Sequence, residues 1–321
     1  MVKEKNGNTQ IIRGILISMV VCIHSISMCS FYENFLLIGI RTICNIAVPS
    51  FLFISGFYFN TKKYNENKKY IYYRIKKLAI PLIIWNFIYF FISSNFNIKS
   101  LIGFANGGHL YFILVLIQLI LITPLILKYY NYCSFRYILY SISIAYLIVY
   151  RILWIKFDFI IPLHEYYFVG WIIYYLEGIK YRELLDNGKD LNEKNIVIKS
   201  IFLYLVVYVY NLVIYVNNGF EYALSQMNIL NLIFSIQCFK LIFKFIKSKK
   251  MENNVLKNIG DESFGIYFIH ILILRIVSLV LKSNEIYIIL IRAVITIFTS
   301  YIVIKYFKRI TKNKFDNILG F

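Results

Sequence analysis

Apolar runs close to 20 residues long recur along the whole chain, and no other feature narrows its fold so far. A helix of about 20 apolar residues crosses the hydrocarbon core of a bilayer. Runs of this kind stand at 11–30, 35–59, 78–96, 110–127, 137–155, 159–179, 200–216, 225–246, 260–281 and 286–307. With 60% hydrophobic and 16% charged residues among 321, the chain carries more apolar surface than a soluble core can hide. The expected fold is all-α: a polytopic membrane helix bundle of about ten transmembrane helices in one domain over 1–321. The first run is too long for a signal-peptide core and lacks a small-residue cleavage site, so it is expected to stay as a helix. The run 159–179 is the least regular, with Pro162, His164 and Glu165 near its start and Glu177 near its end. A short or re-entrant segment is expected there.

The net charge of +19 is distributed as a membrane protein distributes it. With the N-terminus inside, 27 of the 35 Lys and Arg fall on one side. They include Lys3, Lys5 and Arg13, the group from Lys62 to Lys77, the group from Lys180 to Lys199, the group from Lys244 to Lys257, and the last five from Lys305 to Lys314. The opposite loops hold only Lys99, Lys156 and Lys282. This asymmetry places both termini in the cytoplasm, with tails at about 1–10 and 308–321. It needs no nucleic-acid partner. Tyrosines gather near span ends (Tyr129, Tyr130, Tyr166, Tyr167, Tyr174, Tyr175), as in interfacial belts. The five cysteines (Cys22, Cys29, Cys44, Cys133, Cys238) lie mostly inside spans without paired spacing and read as small buried apolar residues.

Within this apolar frame a few residues carry chemistry. His24 lies deep in the first run, where an ionisable group is costly and marks a functional site by default. Arg13 precedes it by eleven positions, close to three helical turns and roughly 16 Å along one face. One helix face therefore carries a cation at the membrane surface and an imidazole near mid-membrane. The residues alone leave open a histidine satisfied by a neighbouring helix. The second run contains Pro49, Ser55 and Gly56; a kink lining a cavity and plain helix packing both fit. Arg74 and Lys77 stand one turn apart at the inner face, ahead of Pro81, and suit a phosphate. His109 opens the fourth run after Gly107 and Gly108, and Tyr267 and His270 lie in the ninth. Four histidines at such separations show no metal spacing, and no metal is expected.

In order and topology these stretches resemble the acyltransferase type 3 family of integral membrane acyltransferases. The resemblance rests on Arg-x10-His (Arg13, His24), Val-Pro-x-Phe…Ser-Gly-Phe (Val48–Phe57), the basic pair before a proline (Arg74, Lys77, Pro81), His-Leu-aromatic-Phe (His109–Phe112) and Gly-x-x-Ser-x-Gly-Ile-Tyr-x-x-His (Gly260–His270). Lys77 stands where the family usually has a second arginine, and Tyr111 where it usually has tryptophan.

The resemblance implies an enzyme in a bacterial plasma membrane that transfers an acyl group, usually acetyl from acetyl-CoA, to a hydroxyl of a cell-surface glycan or its lipid-linked precursor. Arg13, Arg74 and Lys77 then hold the CoA phosphates, and His24 serves as general base or transient acyl carrier. Either role needs a neutral imidazole, which burial away from water favours. His109, His164 and Glu165 become acceptor-side candidates, and Ser55, Gly56, Tyr267 and His270 cavity-lining candidates. Any second transfer step is expected to fall to a separate extracytoplasmic partner enzyme. A competing reading is a non-enzymatic exporter or flippase of a surface polysaccharide, with Arg41, Arg151, Lys240, Arg275 and Arg292 along a polar path. A third is a scaffold subunit with a degenerate site. The aligned Arg13–His24 face speaks against both.

Overall fold

The computed structural model describes residues 7–28, 34–59, 61–93, 101, 105–189, 191, 194–249 and 251–321. Lys3, Lys5, Cys29, Lys99 and Lys250, used above, lie outside the described residues. The described residues are helical and contain no strand. In chain order the helices are α1 (Gly7–Ser27), α2 (Phe35–Cys44), α3 (Ala47–Phe57), α4 (Thr61–Glu66), α5 (Lys69–Ile92), α6 (Tyr111–Tyr129), α7 (Cys133–Phe157) and α8 (Ile172–Asp186). They continue with α9 (Ile196–Asn218), α10 (Phe220–Leu224), α11 (Ile229–Lys247), α12 (Asn254–Asp261), α13 (Ser263–Val280), α14 (Ile286–Thr311) and α15 (Asp316–Leu319). Among the described residues nine helical segments are long and apolar enough to cross a membrane. The protein is an all-α polytopic membrane bundle.

α1 is its hub, packed against α2, α3, α11, α12, α13 and α14. Two pairs of glycines allow the tightest contacts. Gly14 and Gly260 bring α1 onto α12, where a methyl group on either would run into the other helix's backbone, at the Leu256 or Gln10 carbonyl. Gly56 and Gly178 do the same for α3 and α8, against the carbonyls of Tyr175 and Phe53. Small residues permit such close backbone approach between membrane helices.

The second apolar run is divided into α2 and α3 by a turn at Asn45–Ile46, ahead of Pro49. Pro49 falls in the first turn of α3, where its missing N–H leaves no intrahelical bond unmade. Asn45 Nδ2 reaches across to the Leu224 carbonyl at 3.4 Å.

The run at 159–179 forms no continuous helix. Short 3₁₀ turns occupy His164–Tyr166 and Phe168–Gly170, and the helix begins at Ile172 and continues to Asp186. Asp158 and Leu163 both take left-handed backbone angles, and Pro162 between them cannot donate to a helix. Irregular backbone at membrane depth survives only where protein satisfies it. Gln118, in the middle of α6, does so twice: its Nε2 donates to Tyr166 O at 2.9 Å and its Oε1 accepts from Phe168 N at 3.2 Å. Tyr146 OH donates to His164 O and Trp171 Nε1 to Glu165 O, both at 3.0 Å. Glu177, buried on α8, accepts from Tyr140 OH at 2.6 Å and pairs with Lys180 at 3.1 Å.

The ends also differ from plain tails. Residues 7–10 already belong to α1, with Asn8, Thr9 and Gln10 buried. At the other end α14 runs to Thr311, the chain reverses through left-handed Lys312 and Asn313, and α15 folds back onto α5. Trp85 Nε1 donates to Leu319 O at 2.9 Å, and Phe321 packs against Gly265. Lys305 and Lys308 pair with the buried Glu262 at 3.4 and 2.5 Å, tying the end of α14 to the start of α13. Of the described cysteines, Cys44 and Cys238 are buried, Cys22 is half-buried and Cys133 is exposed.

The glycine contacts give a direct test. Gly178→Ala is expected to cost about 1–3 kcal/mol by overpacking, seen as a lower midpoint of thermal unfolding in detergent. Gly108→Ala, whose methyl would meet nothing within 4 Å, should leave the midpoint unchanged.

Candidate active site

The face of α1 read from the sequence lines a cavity. Thr9, Gln10, Arg13, Ile17 and Val20 follow one another up that face, and His24 comes one turn later. The cavity measures 780 Å³ and is walled by α1, α3, α5, α6, α8, α11 and α13. Its mouth carries Arg13, Arg74, Lys77 and Arg182. Its inner end is closed by Val20, Phe112 and Tyr267. A basic mouth opening into an apolar shaft suits a ligand with an anionic head and a long uncharged arm.

The mouth is held in shape by its own contacts. Arg74 Nη2 donates to Ser55 Oγ at 3.2 Å and Nη1 to Tyr70 OH at 3.5 Å, with the guanidinium 5.2 Å from the Phe59 ring centre. Arg13 Nη1 donates to Gln10 Oε1 at 3.5 Å, and Asp261 stands within electrostatic reach of it. Thr9 and Tyr58 share a 2.5 Å hydrogen bond beside them. Ser55 lines the cavity, whereas Gly56 is turned into the α3–α8 contact and does not line it. Arg182, one of the basic group from Lys180 to Lys199, also lines the mouth and pairs with Asp186 at 2.9 Å. No residue spacing within α8 signals its role, because α8 reaches the mouth through packing on α3.

Beyond the inner end, three helical segments bring three imidazoles together. The His24 ring centre lies 5.1 Å from that of His270 and 6.1 Å from that of His109, and His109 and His270 are 5.2 Å apart. His24 is half-buried, His109 and His270 buried. His109 comes from the 3₁₀ segment Ala105–Leu110, whose backbone bends at Gly107. This acceptor-side candidate stands against His24. His270 Nδ1 faces the carbonyl oxygens of Tyr267 at 2.7 Å and Ile266 at 3.1 Å. Such oxygens only accept, so the ring proton sits on Nδ1 and the Nε2 lone pair is left free. The Nε2 atoms of both His270 and His109 are buried without a partner. Tyr267, at the junction of cavity and cluster, donates to the His109 carbonyl, and the Tyr89 ring lies edge-on to His109 at 5.0 Å. Among the described residues no three of His, Cys, Asp and Glu form a metal-binding group.

The remaining site candidates separate. His164 stacks on Tyr150 at 4.5 Å and its Nδ1 faces Ile161 O, on the turn away from the cluster. Glu165, next to it, is half-buried, and Arg41 is the cation acting on it. The arginines proposed for a polar path stand on α2, α7, α13 and α14. Arg151 bonds Tyr210 OH and the Tyr222 carbonyl, Arg292 bonds the Ser283 carbonyl, and Arg275 is exposed.

A family model described as an acyltransferase domain, acyltransferase type 3, matches residues 7–305. The chain belongs to the acyltransferase type 3 family. No curated protein and no solved structure matches it. The match spans every element of this acyltransferase that lines the cavity or carries a clustered histidine.

Cysteine accessibility checks the cavity. In a variant with the native cysteines replaced, Ser55→Cys should react with a water-soluble thiol reagent at least about 10-fold faster than Leu52→Cys, whose site is fully buried and off the cavity. Equal rates would contradict an open shaft beside Ser55.

Proposed function

We propose that this acyltransferase moves an acyl group, typically acetyl, from acyl-CoA to a hydroxyl of a cell-surface glycan or lipid-linked glycan precursor in a bacterial plasma membrane. The observation that carries the reading is the basic-mouthed cavity ending one residue layer short of the three histidines. Arg13, Arg74, Lys77 and Arg182 hold the phosphates at the cytoplasmic face. The pantetheine arm runs up the apolar shaft, and the Phe112 and Tyr267 side chains that close its inner end turn aside for the thioester to reach His24. Lys77 contributes a point charge where an arginine would contribute a fork.

At His24 the chemistry balances in either of two routes. In direct transfer the neutral imidazole takes the proton of the acceptor hydroxyl, whose oxygen attacks the thioester carbonyl; the C–S bond breaks and the proton passes to the CoA sulfur. In the two-step route the imidazole nitrogen attacks the thioester carbonyl and CoA leaves as the thiolate; the acceptor oxygen then attacks the acyl-imidazolium, the C–N bond breaks to restore neutral His24, and the hydroxyl proton ends on the CoA sulfur. The bare Nε2 of His270, 5.1 Å away ring to ring, offers the nearest second proton acceptor.

Acetyl-CoA binding to the purified protein, measured by calorimetry, tests the donor assignment. Losing a charge-assisted contact costs about 1.5–3 kcal/mol, so Arg74→Ala and Arg182→Ala should each weaken binding by about 10-fold or more. Lys76→Ala, exposed and off the cavity, should bind as the unmodified protein does. Undiminished binding in both arginine variants would contradict the proposal.

A further inference from the structure

A wall one side chain thick separates the donor cavity from the histidine cluster. Tyr267 stands in it. Its ring lines the inner end of the cavity and lies 5.4 Å from the His109 ring and 6.1 Å from the His270 ring. Phe112 continues the wall, its ring 5.6 Å from that of Tyr267 and inclined to it at 62°. Val20 of α1 completes it, one turn before His24, and all three residues are buried. A thioester reaches His24 only where this wall gives way, and its acyl group then lies in the opening.

The two rings differ in what movement costs them. Tyr267 OH donates to the His109 carbonyl, on the bent segment that presents a clustered imidazole. Swinging Tyr267 far aside would break a buried hydrogen bond and leave that carbonyl unpaired. Phe112 carries no hydrogen-bonding group on its side chain, so its rotation breaks no such bond. It sits in the first turn of α6, and the half-buried Phe51 ring beside it, 6.1 Å away, lines the same shaft. The opening therefore falls mainly to Phe112, with Tyr267 moving within the reach of its tether. On the cluster side Tyr89 is pinned as well. Its fully buried ring lies 5.0 Å from that of His109, and its OH donates to Phe268 O at 2.6 Å.

We propose that Phe112 sets the length of the acyl group this acyltransferase moves: the space its ring opens holds an acetyl group, and a longer chain meets the tethered tyrosines. The assignment rests on the acyl-CoA reading above and adds to it the class of acyl group and the residue that selects it. A pocket of fixed walls discriminates between chains that differ by a methylene, because the longer one must displace packed side chains to enter.

The test measures thiol release from acetyl-, butyryl- and hexanoyl-CoA in nanodiscs supplied with glycan extracted from the host envelope. The unmodified protein is compared with Phe112→Ala, Phe112→Leu and Ile54→Ala. The quantity read is the ratio of kcat/KM for butyryl-CoA to that for acetyl-CoA within one preparation, so any loss of folded protein cancels. The unmodified protein should favour acetyl-CoA by about 10-fold or more. Phe112→Ala should raise the butyryl-to-acetyl ratio by about 10-fold or more, because the added methylenes gain apolar room, and Phe112→Leu by less. Ile54→Ala widens the same shaft nearer the mouth, next to the Ser55 that bonds Arg74, and should leave the ratio within about 2-fold. An unchanged ratio in both Phe112 variants, an equal rise in Ile54→Ala, or an unmodified protein that uses butyryl-CoA as readily as acetyl-CoA would each overturn the assignment. If the unmodified protein neither bound acetyl-CoA nor released thiol from any of the three, the donor reading beneath it would fall instead.

Discussion

Hydrocarbon offers no water to a broken helix, so every interruption of a membrane-spanning segment must be satisfied by protein. Three interruptions shape this bundle, and one of them carries a clustered histidine. The turn at Asn45–Ile46 closely follows Arg41; the bent segment Ala105–Leu110 carries His109; the turns from His164 to Gly170 carry Glu165. Side chains tie each to another segment: Asn45 Nδ2 to the Leu224 carbonyl, Tyr267 OH to the His109 carbonyl, and Gln118 with one hydrogen bond to either side of Tyr167. A continuous helix in any of these places would have spared such supports and carried its side chains elsewhere.

Close backbone contact supplies the complementary rigidity. The Gly14–Gly260 and Gly56–Gly178 contacts clamp α1 to α12 and α3 to α8 at the basic end of the molecule. Those four helices contribute or support Arg13, Ser55 and Arg182 around the cavity mouth. The histidine cluster is built differently, from side chains of α1, α13 and the bent segment meeting in a region where two Nε2 atoms have no protein partner. Rigid walls and unsatisfied centre together are what a binding site for a polar reacting group requires.

Periodicity and charge made much of this legible in the sequence. The apolar runs gave the all-α membrane class, and the eleven-residue offset between Arg13 and His24 placed a cation at the cavity mouth and an imidazole beyond its inner end on one face of α1. What the sequence withheld depends on tertiary packing. His109 looks like an interfacial residue until the bend at Gly107 turns it inward. Arg182 is one more basic residue in a lysine-rich loop until α8 packs on α3. Gly56 offered two readings, and only the proximity of the Tyr175 carbonyl assigns it to packing. The run at 159–179 showed its irregularity through Pro162, His164 and Glu165, whereas the left-handed angles at Asp158 and Leu163 that stop the helix are backbone features that hydropathy does not carry.

The central claim is that His24 performs the chemistry at the end of the donor cavity. The most direct measurement is release of free thiol from acetyl-CoA by the protein in nanodiscs supplied with surface glycan, comparing the unmodified protein with His24→Ala. A positioned base contributes about 10²- to 10⁴-fold, so the variant should lose thiol release by that factor while still binding acetyl-CoA. Equal thiol release from the two proteins would contradict the account.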